Sequence, residues 1–359
     1  MDKEQQVMEL WHRCFQDTEE FIRFYFQHKY KDEDSLVYEA EGKALAALQM
    51  IPYPMSWAGI TVPTVYISGA CTLPEARNRG IMTLLLQAAF IEMFKRRTAF
   101  STLIPANDHL FDYYARIGYV PVFEYSSQYY FPAPEEKMSI NIRTSVPESY
   151  QEQWAQALFP YFDHHMQKRT CCIQHPYEDF LAIIEELYMS GGRVIIAFRK
   201  NSGIPVGLVL ALPEKEEVVV KEIFYESTEG KEALLAAIRK YFPNLPLLCK
   251  IPPHQLNTER LGMARIIDVH QVLEHMARLR PEISLSIHLN DIQLENNTGI
   301  YTLSGGQCLL STKTSVETNI ETDIATLTKA LLGYQTELLP SSLAPLFTES
   351  RPYMNLMLE

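Results

Sequence analysis

The sequence predicts an α/β fold built on mixed sheets and divided over two or three domains. Its first third reads as two helices, several strands, a helix, a strand, a helix and a strand. The middle third repeats that order loosely without residue-level identity, and the last third turns to short alternating strands. At 359 residues, 47% of them hydrophobic, the chain is too long for one ordinary core.

Between Leu10 and His28 aromatic and aliphatic residues recur at helical spacing, with Asp17 and Thr18 as a cap inside the run, so two helices are expected. Strands are expected at 35–39, 43–51, 55–60 and 65–73, separated by Glu41-Gly42, Pro52-Tyr53-Pro54 and Pro63. A helix from Arg79 to about Arg97 follows, carrying Ile81, Leu84, Leu85, Ala88, Ile91 and Phe94 and expected to be largely buried. Then come an apolar strand at 99–104, a short helix at 108–117 and a strand at 119–130. Pro132-Ala133-Pro134-Glu135-Glu136-Lys137 mixes prolines with charges, as a linker does, and closes the first domain.

Beyond it, helices near 150–167 and 177–189 precede Gly191-Gly192, strands at 194–198, 205–212 and 217–225, a helix at 230–241 and a strand at 246–251. In the last third, 266–279 reads as a helix. Residues 285–289, 299–303 and 307–312 alternate like an antiparallel sheet, with Gly305-Gly306 as a hairpin turn. A helix at 323–332 has Thr322 as cap and Gly333 as terminator. The expected domains are 1–134, 135–262 and 263–359.

Composition narrows the function. The N-terminus is polar and no apolar run approaches the roughly 20 residues that span a bilayer, so a cytoplasmic protein without membrane contact is expected. Cys14, Cys71, Cys171, Cys172, Cys249 and Cys308 are too sparse for a disulfide framework and none form a Cys-x-x-Cys pair. The net charge of -12 repels nucleic-acid phosphates and attracts cations, which ranks small amines above DNA or RNA as ligands.

The chemistry is concentrated in Ile67-Ser68-Gly69-Ala70-Cys71-Thr72-Leu73-Pro74-Glu75-Ala76-Arg77-Asn78-Arg79-Gly80-Ile81-Met82, a strand, a basic turn and the start of a long helix. Unpaired N–H groups at a helix N-terminus bind pyrophosphate, Gly80 lets the backbone approach it, and Arg77 and Arg79 add charge. Glu75 opposes them and is expected to point away. On this segment alone, a solvated turn before a core helix is the favoured reading, because short glycine-containing anion loops are unspecific. A second piece, His109-Leu110-Phe111-Asp112-Tyr113-Tyr114-Ala115-Arg116-Ile117-Gly118-Tyr119, reads as a short helix capped by Asn107 and ended by Gly118.

Together these segments resemble the general-control-related N-acetyltransferase (GNAT) superfamily. In that family a basic-x-x-Gly-x-Gly/Ala turn binds the CoA pyrophosphate, and a Tyr-containing helix leads into Gly-Phe/Tyr. Arg77, Gly80 and Met82 match the turn, and Tyr114 to Gly118-Tyr119 the helix; Met82 departs from the usual small residue. The order of segments over almost the whole chain resembles the enhanced-intracellular-survival (Eis-like) group. There an active GNAT domain precedes a degenerate GNAT-like domain and a small α+β sterol-carrier-like domain.

The resemblance implies acetyl-CoA as acetyl donor, a small cationic amine or lysine side chain as acceptor, direct transfer, and a homo-oligomer, a hexamer in that group. It implies Tyr114 as the general acid on the departing thiolate. Ala70, Cys71 and Thr72 pair with the pantetheine arm, and Arg77, Asn78, Arg79, Gly80, Ile81, Met82 and Asn107 hold the cofactor. Cys71 is then a packing residue, not a nucleophile. The terminal carboxylate reaches the active site in that group, which here points to Glu359 as base, although this chain ends in an acid where an aromatic is expected.

His164, His165, Cys171, Cys172 and His175 lie close together, but their spacing matches no common metal site, and no metal is expected. The rival reading is a non-catalytic protein holding an apolar ligand in the sterol-carrier-like domain. The strands from 285 to 312 read more simply as a packed sheet.

Overall fold

A computed structural model describes residues 2–131, 141–254, 258–312 and 320–358; the linker expected at Pro132–Lys137 lies outside them. The first stretch runs α1 (Lys3–Cys14), α2 (Glu19–Lys29), β1 (Ser35–Ala40), β2 (Lys43–Trp57), β3 (Ile60–Thr72), α3 (Ile81–Lys95), β4 (Phe100–Leu103), α4 (Asp108–Ala115) and β5 (Val120–Tyr130). Next come β6 (Ile142–Ser145), α5 (Glu152–Gln167), β7 (Cys172–Ile173), α6 (Tyr177–Met189), β8 (Arg193–Arg199), β9 (Pro205–Pro213), β10 (Val218–Tyr225), α7 (Thr228–Tyr241) and β11 (Leu247–Ile251). The chain ends with β12 (Thr258–Ile266), α8 (Val269–Leu279), β13 (Leu285–Asn290), β14 (Gly299–Ser304), β15 (Gln307–Ser311), β16 (Ile320–Asp323) and α9 (Ile324–Leu331). Among the described residues no helix is long and apolar enough to cross a membrane.

Contacts divide the chain into two units, Met1–Phe123 with Leu261–Pro352, and Glu124–Arg260 with Tyr353–Glu359. In the first unit the strands lie in the order β1-β2-β3-β4-β12, and only the β3/β4 pair is parallel. The expected strands 43–51 and 55–60 are not separate. β2 runs through Pro52 and Pro54, which sit opposite Val65 and Pro63, beyond the point where β1 ends its pairing at Gln49. Two prolines two residues apart withhold their missing N–H groups from the same edge, so the ladder on the other edge survives.

Two other expectations shift. The helix expected at 266–279 is α8, starting at Val269, and it is preceded by a strand that was not expected: Met263–Ile266 of β12 pairs antiparallel with Leu103–Phe100 and so extends the sheet of the first unit. The buried face of α3 is Ile81, Leu85, Leu86, Ala89, Phe90 and Met93, while Leu84 and Ile91 are about half exposed. An apolar helix offers several candidate stripes, and packing selects one.

A second sheet of the first unit, β15-β14-β13-β16, carries α8 and α9. Its hairpin turns at Gly305 and Gly306, both with positive φ. The cap of α9 is Asp323, which accepts from the Thr326 N–H at 2.7 Å, instead of Thr322, which lies within β16. Ile287, Leu289, Tyr301 and Leu303 are buried. Arg265 of β12 is wholly buried at the junction of the two sheets. It forms a bidentate pair with Asp291 at 2.7 and 2.6 Å, donates to the Ile117 carbonyl, and lies over the Phe90 ring at 4.4 Å. The Trp57 indole donates to the Leu331 carbonyl at 2.9 Å, a second tie between β2 and α9.

In the second unit the order is β5-β11-β10-β9-β8-β6, with β10 and β11 parallel. Val209, Ala211, Val218, Val220, Leu234 and Ile238 form its core. Residues after Pro352 belong here. Tyr353 N–H donates to the Cys171 carbonyl, and the Asn355 side chain donates to Glu222, itself paired with Arg169 at 2.8 Å. His175 faces Asp179 with one ring nitrogen and the Asn355 carbonyl with the other. Among the described residues no cluster of His, Cys, Asp and Glu is placed to hold a metal.

Candidate active site

β3 pairs with β2 along its length but with β4 only at Thr64–Tyr66. From Ile67 to Thr72 the two parallel strands are no longer paired, so the edge of β3 turned away from β2 has no β4 ladder there. Within this stretch the β2/β3 register slips between Ala47 and Gln49, which sets two residues of β3, Gly69 and Ala70, opposite the single Leu48 of β2. Gly69 has φ +56, and a side chain there would run into the Trp11 indole, so the bulge requires glycine. Ala70, Cys71 and Thr72 follow it at the open edge; sequence reasoning placed these three but gave no role to Gly69.

The turn after β3 keeps its expected shape. Arg77 is extended, and its Nε donates to the Thr72 carbonyl at 3.1 Å, while Arg79 donates to the Glu75 carbonyl at 3.0 Å. Glu75 turns its carboxylate to Arg13 at 2.8 Å, away from the two turn arginines. Asn78 has φ +61, and Gly80, at φ +76, is the N-cap of α3. Arg77, Asn78, Arg79 and Gly80 are all exposed, and a side chain built on Gly80 would meet nothing within 4 Å. With no side chain to cap it, α3 presents its first N–H groups, those of Ile81 and Met82 included, to an open, positively charged space. This is the shape and charge that a pyrophosphate requires.

α4 meets this turn directly. The hydroxyls of Tyr113 and Thr83, the latter in the first turn of α3, are 3.1 Å apart. Tyr114, next along the helix, lies against Tyr113 and Tyr119 with ring centroids 5.2 and 5.8 Å away and is only 7% exposed. Burial first, then Tyr119 and Tyr113, hold its phenol well above the ordinary tyrosine range, so it stays protonated at any working pH. Tyr119 is fixed by a 2.6 Å bond between its hydroxyl and Ser101 on β4. Asn107 is the N-cap residue of α4, but its side chain makes no capping bond. Glu359 lies outside the described residues. The structure therefore brings Arg77–Met82 and α4 together. The signals sequence reasoning missed, Thr83 and the Tyr113 hydroxyl, join positions 30 residues apart.

Residues 1–122 match the acetyltransferase (GNAT) domain family, and residues 269–339 match the sterol carrier protein domain family. The first third of the chain is thus a GNAT acetyltransferase domain, and the last third carries a sterol carrier protein domain. Its overall fold is that of a GCN5-related N-acetyltransferase from Anabaena variabilis, at TM-score 0.76 and 18% identity, over 98% of this chain and 97% of that one. It is similar also to a probable N-acyltransferase from Enterococcus faecalis, at TM-score 0.76 and 15% identity over 98% and 96% of the two chains. Eis1 from Mycobacterium abscessus shares the fold at TM-score 0.66 and 15% identity over 95% and 98% of the two chains. No curated protein matches it by sequence.

Proposed function

We propose that this protein transfers the acetyl group of acetyl-CoA directly to a primary amine, on a small cationic molecule or a lysine side chain, with Tyr114 as general acid. One observation carries the reading. β3 parts from β4 and leads into an uncapped, arginine-flanked helix start to which the tyrosine-bearing helix is bonded through Thr83 and Tyr113. Pyrophosphate would lie on the N–H groups of Gly80 to Met82 with Arg77 and Arg79 beside it, and pantetheine along the open edge at Ala70 to Thr72. The amine attacks the thioester carbonyl, the C–S bond breaks, and the thiolate takes a proton from Tyr114. The buried phenol is protonated when that charge appears. The attacking ammonium must first lose a proton, a role proposed for a carboxylate at Glu359.

The chain's negative charge favours a cationic acceptor. The division at 134 and 262, cytoplasmic location and hexameric assembly belong to the same proposal, by likeness to the Eis-like group. Calorimetric titration with CoA, followed by thiol release from acetyl-CoA against a panel of polyamines and aminoglycosides, tests the function. Micromolar CoA binding with amine-dependent release is expected, whereas a folded protein that ignores CoA would refute it.

A further inference from the structure

The segment after Pro352 is held in the second unit by more than apolar contact. Met354 and Leu358 are buried, and so is a polar grip on the stretch they bracket. Tyr353 donates its N–H to the Cys171 carbonyl at 2.9 Å and accepts from the Ile173 N–H at 3.3 Å, which makes a short parallel bridge to β7. The Arg169 guanidinium lies over its ring at 4.8 Å. Arg169 is bidentate to Glu222 at 2.8 and 2.9 Å, and Glu222 also accepts from the Asn355 side chain. His175, whose side chain is wholly buried, is placed between the Asp179 carboxylate of α6 and the Asn355 carbonyl, the latter 2.9 Å from Nε2. Both neighbours of this imidazole are acceptors. A carbonyl has no proton to give, so Nε2 must carry one, and a second must lie between Nδ1 and Asp179. A neutral imidazole has a single N–H and would leave a lone pair against an oxygen. Whichever partner keeps it, the His175–Asp179 pair holds one proton more than a carboxylate beside a neutral imidazole.

We propose that the His175–Asp179 pair is a proton-dependent lock on residues 353–358, clamping the Asn355 carbonyl when protonated and releasing it when not. The clamped state binds one proton more than the released one. Its stabilisation is therefore fully present below the pKa of a free imidazole, about 6.5, and is lost as pH rises through the higher pKa of the locked pair. The other groups around the lock keep their state over that range. Burial pushes the Cys172 thiol up to about 12 and, with Glu222, holds the Tyr353 phenol well above its ordinary value. Arg169 stays charged beside Glu222. Burial, then Lys168 and His164, lower His165, which stacks on Phe224 and so stays neutral. Phe162 of α5, its ring 6.3 Å from that of His175, brings no charge. The segment leads on to the carboxylate at Glu359. On the proposed reading of that group as base, His175 is a positioning residue for it.

The test is amide hydrogen exchange of the full chain, read by mass spectrometry from about pH 6 to about pH 10 and corrected for the intrinsic pH dependence of exchange. Protection of residues 353–358 should fall by roughly 10- to 100-fold across that range, the worth of a hydrogen bond to a charged group, while β9 and β10 keep theirs. His175→Gln keeps a donor for the Asn355 carbonyl but cannot titrate, so its protection should be flat with pH. Asp179→Asn removes the charge that favours the proton and should move the midpoint to lower pH. Wild-type protection that is flat across the range, or a His175→Gln protein that titrates as the wild type does, overturns the lock. Turnover is read beside it. His175→Leu, which has no donor, should lower kcat roughly tenfold at unchanged KM for acetyl-CoA, and His175→Gln should restore it. Lost protection in His175→Leu without a fall in kcat would support the lock and count against Glu359 as base, so the two failures are told apart.

Discussion

Each unit contains a strand that pairs in parallel with a second strand and then leads into a helix, β3 into α3 in the first and β10 into α7 in the second. The local chemistry at the two helix starts is opposite. Ser227 caps α7, its hydroxyl accepting from the Gly230 N–H at 3.1 Å, and Glu226 and Glu229 flank that helix start. Their charge already complements the helix dipole, and an arriving phosphate would meet two carboxylates and a filled cap. At α3 the cap is Gly80, no carboxylate lies in the first turn, and Arg77 and Arg79 stand beside it. On the proposed reading, the same architecture serves as a ligand cradle in one place and as plain scaffold in the other. A handful of turn residues decides which.

Gly80→Asp makes the first turn resemble the second and should have the largest effect. Asp tolerates positive φ and finds open space at this position, so the fold should persist. CoA affinity, read by calorimetry, should fall by at least about 100-fold, equivalent to roughly 3 kcal/mol. Unchanged affinity in a folded variant would break the contrast between the turns.

Tyr114→Phe keeps the ring against Tyr113 and Tyr119 but removes the proton donor. Turnover should drop by roughly 10²- to 10⁴-fold at little change in CoA binding. Tyr113→Phe loses only its bond to Thr83 and should be mild. If Tyr113→Phe is the crippled variant, the acid has been assigned to the wrong side of α4.

The smallest effect is expected from Glu226→Arg in the second unit. Ser227 still caps α7, so CoA stoichiometry should stay at one site per chain and turnover should change by no more than about twofold. A second CoA site would show that charge alone converts scaffold into cradle, without an open cap.

Much of this was legible in the sequence because it is local. The turn from Arg77 to Met82 and the spacing from Tyr114 to Gly118-Tyr119 are contiguous, and both stand where the residues placed them. Long-range facts were not legible. Pro52 and Pro54 read as a break because only the paired edge of β2, set by Val65 and Pro63, shows that they are harmless. β12 was hidden by its charges, since nothing near Arg265 announces that its partner is Asp291, 26 residues on, in a wholly buried pair.

The seam around Arg265 limits how this protein can be divided. An acetyltransferase fragment ending at Phe123 would lose the strand that covers β4, leaving a bare sheet edge of the kind that seeds self-association. It would also strand the Trp57 indole without its acceptor. In the complementary piece the buried Arg265–Asp291 pair would stay together, but Arg265 would lose the Ile117 carbonyl and the Phe90 ring that complete its setting. The transferase domain is thus no portable cassette. A chain cut or recombined at that boundary would lose the β4/β12 ladder and the Trp57–Leu331 bond at once, so the two segments are expected to fold best as one piece.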